Sequence, residues 1–354
     1  MRIAILSSLI AVAGLSIPVT TAGSDNPADY PHRVLRNDTG MRVMVMLPDA
    51  DKGFYRGTRF DWSGHIAQAK YRGHTFFGLW RTPHDPTNFE HGVGPTDEFG
   101  IQNPPGYEQA KPGDPFLKIG VGLLKRIDEK PYHFSTKYSV LNPGRWTQSP
   151  RRSSESGLSF QHELITDADW GYRYSKVVEL VPDKPEFTIR RTLKNIEGND
   201  IKTASYNHNF IRIDDELIGP SYELELSDEL QAEVEPPAKF DGRKLTFTGK
   251  VEKPLMIYFK GQPKRTSKES AEQAGRAPIR FTARPSFDIT ITNRRTGGQM
   301  VIAHQFDLSE LRLWVTSTAI CPEPFIKVDL GPAQSMSWTT TYRLGAVEKA
   351  EQSR

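Results

Sequence analysis

The stretch "SMSWTTTYRL", residues 335–344, decides the fold class. Met336, Trp338, Thr340, Tyr342 and Leu344 fall on one face of an extended chain, as side chains in a strand alternate with period two. Eight further stretches read as strands: "MRVMVML" (41–47), "GLSFQHEL" (157–164), "PEFTIRRTL" (185–193), "KLTFTG" (244–249), "PLMIYFK" (254–260), "FDITITN" (287–293), "QMVIAHQF" (299–306) and "LRLWVTST" (311–318). Turn sequences such as "LNPG" (141–144), "FDGRK" (240–244) and "RTGGQ" (295–299) separate them. Only "ESAEQAGRA" (269–277) reads as a helix. Many strands at close spacing predict an all-β sandwich or barrel. No internal repeat or low-complexity linker divides the chain, so residues 23–354 are expected to form a single domain.

The start of the chain has a different character. Met1-Arg2, an apolar run from Ile3 to Ile17 and the small residues Thr20-Thr21-Ala22 have the order of a signal peptide, too short for a spanning helix. Removal of residues 1–22 predicts a periplasmic or secreted protein with no membrane attachment. Cys321 is the only cysteine, which excludes an intramolecular disulfide and leaves stability to the core. Lys plus Arg is 46 against 43 for Asp plus Glu, a balance that provides no electrostatic footprint for nucleic acid. The basic run "KGQPKRTSKES" (260–270) reads as a solvated loop. Residues 81–118, rich in Pro, Gly and acidic side chains, read as a long irregular loop, with Phe89, Phe99 and Tyr107 arguing against disorder.

Several chemistries lack their signature. His84, Asp85, Glu90 and His91 crowd one segment without an established ligand spacing, and His162-Glu163 lacks the second histidine of a zincin, so neither metal nor cofactor is expected. His162 shares a face with Leu158, Phe160 and Leu164 and reads as a core histidine. There is no G-x-S-x-G, and Cys321 reads as a small buried residue. Two polar features stand out. Glu323 lies between Pro322 and Pro324, which predicts a rigid extended segment away from a strand centre. His208 is fenced by Asn207 and Asn209 inside a strand-like stretch, "TASYNHNFIRID" (203–214), where asparagine is a poor strand former.

"SYNHNFIRID" resembles the N-H segment of the aldose 1-epimerases, the galactose mutarotases, and "AICPEPF" with "LGPAQSMSWTTTYRL" resembles their closing segment. "YRGTRFDWSGHI" (55–66) is similar, more loosely, to their early arginine-bearing segment. The resemblance implies a β-supersandwich of twisted antiparallel sheets with one long groove, and a mono- or oligosaccharide as partner. It implies His208 as general acid and Glu323 as general base, Arg59 as the substrate-contacting arginine, and Asn207 as a partner of the imidazole or of a sugar hydroxyl. On that reading Asn207, His208 and Asn209 all face the groove. Trp62, Trp80 and Phe99 are candidates to carry apolar sugar faces. The segment 94–122 has no counterpart in the family's pattern. His91, beside Gly92, stands nearest to the family's second histidine. Glu98 is expected to reach the groove from a polar loop and add a substrate contact. Two alternatives remain on the same fold: a non-catalytic carbohydrate-binding module and a polysaccharide lyase.

Overall fold

The computed structural model describes residues 23–151, 155–260 and 287–348; the leader at 1–22, the helix expected at 269–277 and most of the basic run lie outside them. All nine stretches read as strands from the sequence are strands. A ten-stranded sheet runs in the order Ala238–Phe240, Lys244–Phe247, Tyr222–Leu226, Phe287–Asn293, Gly298–His304, Ser335–Ala346, Glu186–Gly198, Trp170–Leu180, Gly157–Thr166, Arg145–Arg151. A five-stranded sheet runs in the order Leu255–Phe259, Glu310–Val315, Ile320–Leu330, Ile201–Phe210, Gly94–Phe99. Two smaller sheets, of four and three strands, flank them. Every paired strand is antiparallel to its neighbour.

Period two explains the layering. Phe187, Ile189, Tyr342 and Leu344 project from the ten-stranded sheet into the same apolar cluster as Leu311, Leu313 and Val315 of the five-stranded sheet and Val43 and Val45 of the four-stranded one. His162 is fully buried between the Pro143 carbonyl and the Tyr172 hydroxyl, each 2.8 Å away, and stacks on Trp146. It is a core histidine with both ring nitrogens engaged.

Two sequence expectations are corrected. Residues 94–99 are a strand, not part of a loop, and all six are buried. Pairing with Ile201–Phe210 supplies their backbone partners, and Gly94 enters at φ +60°, where a Cβ would lie 2.0 Å from the Ile66 carbonyl oxygen. Glu323 likewise lies within a strand, one flanked by neighbours on both sides.

The prolines beside Glu323 are tolerated there because of where they fall in the ladder. Ile211 and Ile320 exchange both backbone bonds, at 3.2 and 3.0 Å. Alternation then makes 209/322 and 207/324 the next bonding pairs and 208/323 a non-bonded pair, in which facing side chains lie closest. Pro322 and Pro324 have no N–H to give in those bonding pairs, and the continuous ladder stops at Tyr206↔Phe325. The Asn209 side-chain amide fills the breach. It donates to the Pro322 carbonyl at 2.8 Å and to the Asn207 carbonyl at 3.2 Å. The asparagine and proline pairs are therefore one device: the prolines open the sheet and an asparagine closes it from the side. Asn209→Ala leaves the Asn207 carbonyl, which faces Pro324, without this donor, and since an orphaned buried group costs about 1–3 kcal/mol, the unfolding free energy should drop by about that amount. Denaturant titration checks this; a loss within error of zero would show that the amide does not bridge the strands.

Candidate active site

The site is one face of the five-stranded sheet. Continuing the register beyond Tyr206↔Phe325 sets His208 opposite Glu323, and Glu323 in turn pairs with Arg312. His208 is paired on its other side with Thr96. One row across the sheet is thus Arg312, Glu323, His208, Thr96. The row on one side of it is Glu310, Phe325, Tyr206, Glu98, and the row on the other is Trp314, Cys321, Phe210, Gly94. Met256 and Tyr258, paired with Trp314 and Arg312, extend this face to the sheet's edge.

His208 Nε2 lies 3.2 Å from a Glu323 carboxylate oxygen, with 3% and 2% of the two side chains exposed. Among the described residues, His208 Nδ1 and the second Glu323 oxygen have no hydrogen-bond partner. The imidazole stacks on Phe210 at 4.0 Å and meets Trp314 and Phe60 edge-on. Burial in this aromatic box, with the Arg59 charge adding to it, pushes the imidazole well below its usual value. Burial pushes the Glu323 carboxyl up to about 7, against the opposing pull of Arg59 and Arg312.

Arg59 and Glu98 form the layer beside the pair. Arg59 Nε donates to Glu98 at 2.8 Å and Nη2 to the Tyr206 hydroxyl at 2.9 Å, and that hydroxyl donates to Glu98 at 2.5 Å. Lys118 Nζ takes the other Glu98 oxygen at 3.0 Å. Burial alone would raise Glu98; Lys118 and Arg59 outweigh it and hold the carboxyl below its ordinary value. Glu98 is fully buried.

A cavity of about 540 Å³ opens over this face. Its walls bring Arg59, Trp80, Tyr132 and Phe134 from loops to meet His208, Phe210, Arg312, Trp314 and Glu323. Arg312 is gripped by both oxygens of Glu310, at 2.6 and 2.9 Å. The Tyr132 hydroxyl is buried without a partner among the described residues.

The structure thus brings together His208, Glu323 and Arg59. It does not bring Asn207 to them. Asn207 and Asn209 project from the opposite face of their strand, since neighbours of an in-facing residue face out. The Asn207 amide donates to Asp97 at 2.9 Å, and the Tyr342 hydroxyl lies 2.7 Å from the side-chain oxygens of both asparagines. Glu98 is a strand residue whose carboxylate secures Arg59 and Tyr206 and is not among the residues lining the cavity. His91 lies off the cavity as well, its Nδ1 accepting from the Asp85 N–H at 2.8 Å. Trp80 lines the cavity; Trp62 donates to the Gly57 carbonyl within an apolar cluster, and Phe99 packs on Tyr174 on the opposite face. Arg312 and Trp314 were legible in "LRLWV", where period two puts them opposite Leu311, Leu313 and Val315. Tyr132 and Phe134 carry no such signal, because a loop has no period.

Behind the sheet lies a second charged layer. Asp97 accepts from Arg191 at 2.8 Å, from Tyr174 at 3.0 Å and from Asn207, and lies 2.8 Å from Lys176, which also reaches Asp61 at 2.7 Å. All four charged groups are buried. Burial would raise Asp97, but Arg191 and Lys176 hold it well below the carboxylate range. Burial and the Asp97 charge push Asp61 up to about 6 in spite of Lys176.

This architecture is the galactose mutarotase-like supersandwich. Among solved structures, the chain is similar to a candidate aldose 1-epimerase from Escherichia coli K12, with TM-score 0.54 and 10% identity over 89% of this chain and 99% of that one. It is similar to galactose mutarotase-like proteins from Clostridium acetobutylicum (TM-score 0.51, 12% identity, 87% and 94% covered) and Lactobacillus casei ATCC 334 (0.50, 10%, 89% and 100%). At these identities the likeness is one of fold. No family model matches the chain, and no curated protein matches it in sequence.

Proposed function

We propose that the protein is a carbohydrate-active enzyme of the aldose 1-epimerase kind, in which His208 and Glu323 move protons at the anomeric centre of a sugar. The observation that carries this reading is the His208–Glu323 contact itself: two buried titratable groups, 3.2 Å apart, each with a polar atom unpartnered among the described residues, lining a cavity with aromatic walls. A binding module gains nothing from burying such a pair. Anomer exchange needs it, since one proton must leave the C1 hydroxyl and another must reach the ring oxygen. Arg59, fixed by Glu98 and Tyr206, offers directed donors to ring hydroxyls. A polysaccharide lyase acting on uronates is less well supported, because both arginines at the cavity already hold carboxylates of this chain, Glu98 and Glu310. The leader-like residues 1–22 support export, with residues 23–354 acting as one domain in the periplasm or outside the cell.

The pair must hold one proton to work. With Glu323 as base and His208 as acid, the reactive form is imidazolium with carboxylate; with the roles exchanged, it is neutral imidazole with carboxylic acid. Both forms carry the same single proton, so the apparent pKa values belong to the pair. Because burial raises Glu323 to about 7, the pair loses that proton as pH rises through about 7. Activity should therefore decline across that pH. Because burial lowers His208, the acid limb should lie well below the usual imidazole value. Polarimetry of freshly dissolved galactose and glucose over a pH series tests both points; rates no faster than buffer throughout would remove the proposal.

A further inference from the structure

We infer that the cavity continues into a second sugar-binding position, built by Tyr258, Met256 and Arg312, so that the saccharide engaged is longer than one unit. This rests on the function proposed above and names its substrate class. The row Tyr258, Arg312, Glu323, His208 runs straight across the sheet. Tyr258 stands two strand spacings from Glu323, about 10 Å, beyond the reach of a single pyranose lying over the acid–base pair. It is a large aromatic side chain left 53% exposed on a strand, with Met256 beside it 42% exposed, and both belong to the lining of the same cavity.

The position has the chemistry of a sugar platform. A pyranose presents an apolar C–H face and an edge of hydroxyls. The Tyr258 ring and the Met256 side chain match the face. The Arg312 guanidinium lies 5.6 Å from the centre of the Tyr258 ring and 4.3 Å from that of Phe325, and the two Glu310 oxygens fix its plane. It therefore presents directed donors at the junction between the two positions. Since Glu310 balances its charge, the second unit is expected to be a neutral sugar. The free anomeric carbon belongs over His208 and Glu323, so the second unit is attached through another hydroxyl of the first.

Titration calorimetry with galactose, glucose and their β-1,4-linked disaccharides, galactobiose and cellobiose, tests the inference without relying on turnover. At least one disaccharide should bind about three- to tenfold more tightly than its monosaccharide, the range expected for one aromatic platform. Tyr258→Ala should bring that ratio close to one, and Tyr258→Phe should restore it. Equal binding of one-unit and two-unit sugars by the unaltered protein, or a preference that Tyr258→Ala leaves intact, overturns the second position. No binding of any of the four sugars overturns it too. Failure of anomer exchange with a disaccharide preference retained would overturn the catalytic reading alone.

Discussion

Glu323→Gln is expected to lower the rate of anomer exchange by about 10²–10⁴-fold, the range for loss of one positioned proton-transfer group, while making the fold more stable in alkaline solution. The two effects have opposite signs for one reason. The carboxyl is almost entirely buried, 2% exposed, and one of its oxygens has no partner among the described residues. Its folded-state value of about 7 lies above its ordinary value of 4.5. A group raised on folding stabilises the native state below its unfolded value and loses that contribution as pH rises through its folded value. Above about pH 7 the native protein therefore holds a buried carboxylate at a cost on the order of 3 kcal/mol. Glutamine carries no such charge. Melting temperatures of the two proteins should be close under acid conditions and diverge above neutrality, with the variant higher. A variant that loses activity and also melts lower at every pH would mark Glu323 as a structural residue.

Asp97→Asn should have the opposite balance, with a large loss of stability. The side chain is 1% exposed and meets Arg191, Lys176, Tyr174 and Asn207. Removing one partner of a buried ionic network typically costs about 3–5 kcal/mol, because the remaining charges stay buried without compensation. The pH dependence gives a separate check. Asp97 is held below its ordinary value, so its contribution is present above the unfolded carboxylate value and disappears as pH falls through the folded one. The unaltered protein should lose stability as pH falls below about 4, the ordinary carboxylate value, and the variant less steeply. Denaturant unfolding at several pH values measures both slopes; parallel curves would show that the network contributes no charge-dependent stability.

The fold was legible because its strands alternate. "SMSWTTTYRL" buries Trp338, Thr340, Tyr342 and Leu344 as its pattern requires. Residues 94–99 were not legible, because this strand is polar on both faces. Glu98 meets Arg59 and Lys118 on one side and Asp97 meets Arg191 and Lys176 on the other, so no apolar stripe marks the strand. His208 and Glu323 could be paired only through the resemblance of their segments to those of the aldose 1-epimerases, and the facing of Asn207 could not be anticipated while "NHN" was taken as a polar cluster with one orientation. Glu323 was expected on an extended segment away from a strand centre on the strength of its two prolines. That rule fails here because the missing N–H groups would have met a neighbour whose asparagine side chain stands in for the backbone.

The Tyr342 hydroxyl between Asn207 and Asn209 has a consequence for how the molecule comes to be assembled. It joins positions 135 and 133 residues apart in the chain, as the Asn209 link to Pro322 joins positions 113 apart and the Asp97 link to Arg191 positions 94 apart. Contacts so distant along the chain form only after large loops have closed, which slows folding in proteins dominated by them. The back of the cavity floor is therefore completed only when the strand Ser335–Ala346 has docked. A chain stopped short of Tyr342 would carry both His208 and Glu323 yet lack the clasp that holds the back of their sheet in register.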